Sequence, residues 1–392
     1  MSKVIFLCDF ELPLSCANAT RVWNIASMLE GSYEVGVIGV AYHSGLQLDG
    51  SYKGIPYRMI QAPRSSGWRA AERIRSLDKC IRKMLEEEMT KEKIKAIILS
   101  NFYFDHAKTL ISLSRKYNVP LIVNSVEWYE KDNSRFDGLL GKVRYIENRI
   151  ALTHYHVRMK NILAISSLLS DYYSSKGCKT IRIPTVVDMA EYEDVHYDDT
   201  EREGVVIAYA GSPARKDYIG NAIPALSYLD EQERKLIQLH FYGADKEAFL
   251  KSGIDETIYD QFKDNIVCHG RIPYESVKSA IGNADFTILL RPNKRYANAG
   301  FPTKVGESMA CGTPVIGNVT SDLGIYYVDG ENAIVCDDES PEACARAMKR
   351  CIALSKEKLS MMRTSAKKTA DQYFNYKQYA KNLVTFIEDA GV

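Results

Sequence analysis

Hydrophobic positions along the chain form short runs, separated by longer segments with helical periodicity. The runs predict strands at 3–10, 34–41, 96–100, 120–125, 162–166 and 180–184, and then at 205–210, 237–242, 266–269, 286–291, 314–318 and 332–336. Between the strands of the first half, helices are expected near 19–30, 69–92, 104–117, 137–160 and 166–176. Strands that alternate with helices predict parallel sheets covered on both faces, so we expect an α/β protein with doubly wound, Rossmann-like domains.

A polar, acidic segment without periodicity at residues 188–203 predicts a linker. We therefore expect an N-terminal domain at 1–188 and a C-terminal domain at 204–375, which suits a chain of 392 residues. Further helices are expected at 340–355 and 357–374. A last amphipathic helix, 376–390 within the tail 376–392, can cap its own domain or cross back onto the first.

The charge is unevenly distributed along the chain. The total is nearly neutral, with 51 Lys and Arg against 50 Asp and Glu, but residues 1–190 carry a net charge of +8 and residues 191–392 a net charge of −7. Such asymmetry is typical of a protein with two different partners. No feature indicates a nucleic-acid partner.

The nine cysteines show no Cys-x-x-Cys spacing, and the histidines do not cluster with them. This pattern predicts reduced thiols in the cytoplasm and no structural metal site. The first residues turn polar too soon for a signal peptide, and no apolar run approaches the roughly 18 residues that span a bilayer. We expect a cytoplasmic protein whose contact with the inner face of the membrane, if any, is peripheral.

Two segments carry candidate chemistry in the second half. A strand at 205–210 leads into Gly211, Ser212, Arg215 and Lys216, where backbone N–H groups and mobile cations can hold a diphosphate; the alternative is an ordinary strand-to-helix turn. In the other segment, Glu307 projects from a short helix, where a carboxylate can accept two hydrogen bonds from a ribose diol. The alternative there is a surface ion pair between Lys304 and Glu307.

The second segment, FPTKVGESMACGTPVI at 301–316, resembles the donor-site signature of glycosyltransferase family 4. The order of the surrounding motifs is similar, with the turn at 211–216, then His269-Gly270-Arg271, then Asn283-Ala284-Asp285 before a strand. The resemblance is specific across about 205–340. It implies the GT-B architecture, in which two Rossmann-like domains face each other across a cleft and the second holds most of a nucleotide sugar.

The resemblance also implies roles for individual residues. Lys216 would grip the diphosphate and Glu307 the ribose, and transfer would retain the anomeric configuration. Apart from the resemblance, we expect no metal, because cationic side chains and a helix end can do what a divalent ion does elsewhere. The chain departs from the family at Ala299, where a carboxylate that contacts the donor sugar is usual, and at Ser212, where an Arg is usual. Arg215 can replace that Arg, as can three cations expected on the cleft rim: Arg291, Lys294 and Arg295. The donor-binding candidates are therefore Gly211, Ser212, Arg271, Arg291, Lys304 and Glu307, with Lys216 and Arg215 counted as catalytic.

Acceptor-side candidates come from the first half. Glu127 follows the strand at 120–125, close to where many relatives place a His, and is our third catalytic candidate; the alternative is a loop Glu. Trp128 can stack on a sugar, or it can pack internally. His106 can line the cleft or cap a helix. Near the first strand, Asn18, Thr20 and Arg21 open a helix that would face the acceptor, although Arg21 can equally be a solvated first-turn residue.

Residues 64–85 combine surplus positive charge with an apolar stripe at helical spacing. Such a helix can lie on an anionic membrane, or it can pack its stripe into the core and expose its cations. We expect a glycosyltransferase that moves a sugar from a nucleotide diphosphate sugar to a glycan or lipid-linked hydroxyl. The alternatives are a nucleotide-sugar isomerase or hydrolase on the same fold, and a non-catalytic accessory subunit. A Rossmann dehydrogenase is disfavoured because no Gly-x-Gly-x-x-Gly follows a predicted strand.

Overall fold

The computed structural model describes residues 1–14, 16–62, 70–101, 105–130, 138–198, 203–211 and 216–392. The chain folds into two compact units. Unit 1 comprises Met1–Val186 together with Tyr376–Val392, and unit 2 comprises Val187–Asn375. Within the described ranges, no helix is both long enough and apolar enough to cross a bilayer.

Unit 1 alternates strands and helices. Its elements are β1 (Lys3–Cys8), α1 (Ala17–Ser27), β2 (Glu34–Ala41), β3 (Asp49–Tyr52), β4 (Ile55–Gln61), α2 (Ala70–Lys91), β5 (Ile94–Ser100), α3 (Ala107–Tyr117), β6 (Leu121–Ser125), α4 (Gly138–Ile150), a π-helical turn (Ala151–Tyr155), α5 (His156–Met159), β7 (Asn161–Ala164), α6 (Ser167–Ser174), β8 (Lys179–Arg182) and, after unit 2, a 3-10 turn (Tyr376–Tyr379) and the C-terminal helix (Ala380–Glu388).

The described strands of unit 1 form one sheet in the order β3-β4-β2-β1-β5-β6-β7-β8. All pairs are parallel except β3 with β4. The central strands are almost wholly apolar because helices cover both faces of the sheet. Leu383 and Ile387 of the C-terminal helix are fully buried in the core of unit 1, so the last helix belongs to the first unit.

The hairpin formed by β3 and β4 is absent from the sequence prediction. Its first strand, β3 (DGSY), is short and carries no apolar run that would identify it. Tyr57 and Met59 of β4 are buried while Arg58 is exposed, which gives the alternation of a strand near a sheet edge. Tertiary pairing with β2 therefore defines this hairpin more than local pattern does.

Unit 2 also alternates strands and helices. Its elements are a 3-10 turn (Met189–Tyr192), β9 (Val205–Ala210), a 3-10 turn (Ile219–Asn221), α7 (Ala222–Ala225), a 3-10 turn (Leu226–Tyr228), α8 (Glu231–Lys235), β10 (Ile237–Tyr242), α9 (Lys246–Lys251), α10 (Glu256–Gln261), a 3-10 turn (Lys263–Asn265), β11 (Ile266–Gly270), α11 (Tyr274–Gly282), β12 (Phe286–Leu289), α12 (Arg295–Ala299), α13 (Thr303–Ala310), β13 (Val315–Asn318), α14 (Leu323–Tyr326), β14 (Ala333–Cys336), α15 (Pro341–Ile352) and α16 (Lys356–Tyr373).

The sheet of unit 2 is parallel throughout its described strands, in the order β11-β10-β9-β12-β13-β14. Its core includes Phe241, Phe249 and Phe286. The strand order reverses between β9 and β12. In open parallel sheets, ligands bind outside the carboxyl ends of the strands at such a reversal, which directs attention to the residues that follow these two strands.

The segment expected to be a linker packs on unit 2 as far as it is described. Tyr192 is 4% exposed, the carboxylate of Glu191 lies 2.5 Å from the ammonium of Lys278, and the hydroxyl of Tyr197 donates to Asp285. Polar composition alone did not distinguish this docked segment from a solvated one. Residues 199–202 of the expected linker lie outside the described residues.

Helix α2 contains most of the basic, amphipathic segment 64–85. Leu77, Ile81 and Leu85 are buried, so the apolar stripe packs inside unit 1 instead of facing a membrane. Lys79 and Lys83 remain exposed on the outer face. Residues 64–69, with two of the predicted cations, lie outside the described residues.

Candidate functional site

Gly211 follows β9 and has a φ of +144°, a conformation that side-chain-bearing residues rarely adopt. A Cβ at this position would lie 2.7 Å from Cε of Lys304. Glycine is therefore favoured by the backbone, and a larger residue would displace the end of the lysine side chain that passes over it. Ser212 and Arg215, two predicted donor-site residues, lie outside the described residues, and Lys216, which begins the next described range, is half-buried.

Asp217 organises the groups around this turn. Its Oδ2 accepts hydrogen bonds from Nζ of Lys304 at 3.0 Å and from the hydroxyl of Tyr209 at 2.9 Å. Nε of Arg291 lies 3.5 Å from its Oδ1. Lys304 thus pairs with Asp217, and the surface pair with Glu307 considered from the sequence is not the arrangement found. Neither Asp217 nor Tyr209 was a sequence candidate, although Asp217 directly follows the Arg215-Lys216 pair.

The electrostatics of this cluster keep its ion pair charged. Burial opposes ionisation of Asp217, but the ammonium of Lys304 and the guanidinium of Arg291 hold its pKa below the usual value. Burial likewise opposes the charged form of Lys304, yet Tyr209 and Asp217 raise its pKa above the usual value. The ammonium of Lys304 is therefore charged, and the side chain as a whole remains 32% exposed.

Arg291 is an internal residue and does not lie on a cleft rim as expected. It is 4% exposed, Nη1 donates to the carbonyl of Ala297 at 3.2 Å, and burial lowers its pKa. Its contribution to the site is therefore through Asp217. Lys294 and Arg295 are exposed, and Arg271 is exposed after β11.

Glu307 lies on α13 and lines a cavity between the sheet and helices α11 and α13. Lys304, Lys278, Tyr192 and Tyr209 line the same cavity. Burial raises the pKa of Glu307, an effect opposed by Lys304 and Lys278 and reinforced by Glu191. The cavity is therefore lined by both Lys304 and Glu307, near the point where the strand order of the sheet reverses. Ala299, at the position of the missing family carboxylate, is fully buried.

Arg21 is a structural residue of unit 1. It is 4% exposed and donates to the carbonyls of Ile183 and Pro184 and to Oδ1 of Asn124. The expectation that it reaches an acceptor or a phosphate is wrong, because its guanidinium is occupied inside the fold. Asn18 and Thr20 are half-buried, and Nδ2 of Asn18 donates to Oδ1 of Asn101 at 3.2 Å.

The two candidates after β6 differ in accessibility. Glu127 is half-buried. Trp128 is 3% exposed; its ring meets Tyr172 edge-on at 4.8 Å, and the guanidinium of Arg149 lies 4.8 Å from its centre. A stacking surface for a sugar at Trp128 is therefore excluded in this conformation, and the packing alternative holds.

His106 occupies the N-cap position of α3 and is 6% exposed. Its Nδ1 lies 3.2 Å from Oδ1 of Asp78 on α2, and Oδ2 of the same carboxylate accepts from Thr109. His106 is thus tied to α2 and does not line an open surface. Nearby, burial raises the pKa of Asp9, which follows β1 and was not a sequence candidate.

Known proteins resemble this chain mainly in structure. Residues 198–369 match the family model described as Glycosyl transferases group 1. Among curated proteins, none matches the sequence.

The fold is similar to solved structures over almost its full length. Sucrose-phosphate synthase from Thermosynechococcus elongatus has a TM-score of 0.75 at 13% identity, covering 98% of both chains. HepE from Anabaena in complex with UDP and glucose has a TM-score of 0.68 at 14% identity, covering 98% of this chain and 99% of that one. The lipopolysaccharide outer core galactosyltransferase WaaB has a TM-score of 0.66 at 15% identity, with coverages of 98% and 99%.

The chain has the GT-B fold, and its residues 198–369 match the model of the glycosyl transferases group 1 family.

Proposed function

We propose that this protein is a retaining, metal-independent glycosyltransferase of the family 4 type. It transfers a sugar from a nucleotide diphosphate sugar to a hydroxyl of a glycan or a lipid-linked acceptor during synthesis of a surface polysaccharide or glycoconjugate. The observation that carries the proposal is that Lys304 and Glu307 lie on the same short helix, α13, and that Lys304 passes over the positive-φ turn at Gly211. One ligand that contains both a diphosphate and a ribose satisfies all three features.

On the donor side, each group has a distinct task. The ammonium of Lys304, fixed by Asp217, and the charge of Lys216 neutralise the diphosphate as it leaves. Glu307 accepts hydrogen bonds from the ribose hydroxyls, which requires its carboxylate form. Lys304 and Lys216 supply the charge that a divalent ion supplies elsewhere, which is why we propose transfer without a metal.

On the acceptor side, Glu127 is the proposed group for the acceptor hydroxyl. It follows β6, and its half-buried carboxylate can accept the hydroxyl proton or stabilise a cationic transition state. Retention is proposed from the family 4 resemblance, and the buried Ala299 requires that the donor sugar be held by groups other than the usual carboxylate.

Donor binding is tested by thermal stabilisation with UDP-, GDP- and ADP-sugars. HepE is described in complex with UDP-glucose, so UDP-sugars are the first choice. A donor at 100 times its Kd should stabilise the protein by about 2.7 kcal/mol. Glu307→Gln should abolish the shift, whereas the exposed Glu331→Gln in the same unit should preserve it. Equal shifts in both variants would contradict the ribose assignment.

Turnover separates the remaining alternatives. Product from donor alone identifies an isomerase or hydrolase, and donor binding without turnover in any acceptor mixture identifies an accessory subunit. Transfer that persists in EDTA supports the metal-independent proposal. The anomeric configuration of the product, read by NMR, tests retention.

A further inference from the structure

Two histidines face each other at the edge of the unit 2 sheet. His240 lies on β10 and His269 on β11, 29 residues further along the chain. Nε2 of His269 is 3.3 Å from Nδ1 of His240. Among the described strands, β11 is the outermost on its side of the sheet, and His269 is exposed while His240 is half-buried. Dissolved ions can therefore reach the pair.

An irregularity in β11 sets the position of His269. The last two residue pairs of the β10–β11 ladder join Phe241 to Cys268 and Tyr242 to Gly270, so His269 is an extra residue between two paired ones. Such a β-bulge changes the direction of a side chain, and bulges are common beside functional sites. The ring of Tyr242 stacks on that of His269, with centroids 4.3 Å apart and planes inclined by 10°. The bulge and the stacked ring together hold this imidazole in place.

The distance between the two nitrogens fits a shared metal ion. Imidazole nitrogens bind Zn²⁺ at about 2.0–2.1 Å in tetrahedral geometry, which places two of them about 3.3–3.4 Å apart. The nitrogens of His240 and His269 already have that separation, so rotation of the side chains brings both onto one ion without movement of the strands. The alternative is a hydrogen bond between the rings, although 3.3 Å exceeds the range of about 2.7–3.2 Å that is usual for an N–H donor to oxygen.

We propose that His240 and His269 form a binding site for a divalent transition-metal ion such as Zn²⁺. In the part of the chain that the structure describes, no group of three or more His, Cys, Asp or Glu could hold a metal, so water completes the coordination of the ion. Imidazole ligands favour Zn²⁺, Cu²⁺ and Ni²⁺, whereas Mg²⁺ and Ca²⁺ prefer oxygen.

The metal site is independent of the proposed sugar transfer. It uses neither Lys304 nor Glu307, and transfer is still expected to persist in EDTA. A bound ion links the outermost strand β11 to β10, and β11 leads through Gly270 to the exposed Arg271. Metal binding should therefore stabilise this edge of unit 2 and raise the melting temperature of the protein by mass action.

Calorimetric titration of the full chain with Zn²⁺, after treatment with EDTA and its removal, tests the proposal. The wild type should bind Zn²⁺ saturably, whereas Mg²⁺ should give no heat at this site. His240→Gln and His269→Gln should each weaken Zn²⁺ binding by roughly tenfold or more. The double variant should bind no more weakly than either single variant, because the loss of one ligand already destroys a shared site.

Two controls match these variants. His196→Gln removes another exposed histidine of unit 2 and should bind Zn²⁺ like the wild type. Alkylation of the native protein blocks the exposed thiols of Cys16 and Cys80, which would otherwise compete for the ion. Circular dichroism and the melting temperature without metal confirm that each variant is folded.

The outcomes distinguish a shared ion from its alternatives. Non-additive losses in the two single variants, with His196→Gln unaffected, support the site. Additive losses would mean that each histidine binds an ion separately, and unchanged affinity in both single variants would place the metal elsewhere; either result overturns the proposal. If the wild type shows no saturable Zn²⁺ binding, the proposal also fails, and the contact between His240 and His269 is a hydrogen bond only.

Discussion

The ammonium of Lys304 lies 3.0 Å from Oδ2 of Asp217, and the same carboxylate faces the buried guanidinium of Arg291. One anion therefore holds two cations at the reversal of the unit 2 sheet. Arg291 is enclosed, while Lys304 keeps a solvent-accessible face. This arrangement predicts that Asp217 matters for stability through Arg291 and for ligand binding through Lys304.

Asp217→Asn should lower the free energy of unfolding by about 3–5 kcal/mol, because it leaves a buried guanidinium without its anion. Chemical denaturation measures the loss. Asp337→Asn is the matched control: its ion pair with Arg346 is shorter, at 2.7 Å, but the Asp337 side chain is 79% exposed, so a much smaller loss is expected. Equal effects in the two variants would contradict the role of burial.

The pH dependence of stability should change in the same variant. The pKa of Asp217 is lower in the folded state than the value of about 3.9 in an unfolded chain, so the unfolded state takes up the proton more readily. The stabilisation by Asp217 is present above about pH 4 and is lost as the pH falls through the folded pKa. Unfolding free energies measured from pH 6 downward should therefore decline less in Asp217→Asn than in the wild type. Parallel declines would refute this linkage.

Gly211→Ala should disturb Lys304 specifically. Its Cβ would meet Cε of Lys304 at 2.7 Å, in addition to the backbone cost of about 1–2 kcal/mol at positive φ. Gly253→Ala carries a comparable backbone strain, at φ +101°, with nothing within 4 Å of its Cβ. Both variants should melt earlier, but only Gly211→Ala should lose the thermal shift with a nucleotide sugar. Loss of the shift in both would point to general destabilisation.

Arg21→Met should destabilise unit 1 by about 3–5 kcal/mol, since buried carbonyls of Ile183 and Pro184 lose their donors. Arg75→Gln, which alters an exposed side chain, should change the free energy of unfolding by less than about 0.5 kcal/mol. Denaturant titration measures both. If Arg21→Met kept full stability but lost acceptor affinity, the binding role expected from the sequence would be restored.

Thiol labelling should separate the cysteines by burial. All nine lie in the described part of the chain; Cys16 and Cys80 are exposed, and Cys268 is half-buried. Burial raises the pKa values of Cys8, Cys344 and Cys351 well above the usual range, which suppresses their reactive thiolates. Native protein at pH 7 should label first at Cys16 and Cys80, and at all nine positions only after unfolding. Mass spectrometry of labelled peptides identifies the sites, and early labelling of Cys344 would contradict the buried core of unit 2.

The alternation of apolar runs and helical segments was sufficient to predict the α/β fold, because covered parallel strands leave an unmistakable local pattern. The hairpin of β3 and β4 was missed because its first strand has hardly any apolar character, although apolar and polar residues alternate in β4. Lys304 and Glu307 became candidates because they lie three residues apart in a helix that Pro302 and Gly312 delimit in the sequence, and their role in donor binding stays a prediction. Asp217 is 87 residues from Lys304, and their pairing arises only when the strands assemble.

Arg21 and Trp128 are the reverse case, because the sequence suggested a binding role for each and the structure places each in internal contacts. Both residue types suit a sugar or phosphate site, and both lie near strand ends. Their partners come from distant segments: the carbonyls of Ile183 and Pro184 for Arg21, and the ring of Tyr172 with the guanidinium of Arg149 for Trp128. Local chemistry therefore indicated what these side chains can bind, while tertiary packing determined what they do bind.

The division of unit 1 into two stretches of sequence has a consequence for how the chain matures on the ribosome. Unit 2 is continuous, and its ends meet where the N–H of Val187 donates to the carbonyl of Phe374 at 2.8 Å. Unit 2 is therefore inserted into unit 1, and it can fold before the C-terminal helix of unit 1 has been synthesised. Unit 1 is synthesised before unit 2, but its core stays incomplete until the C-terminal helix has been synthesised. Until then, the apolar surface that contacts Leu383 and Ile387 is exposed. Of the two units, unit 1 therefore begins to emerge first and is completed last.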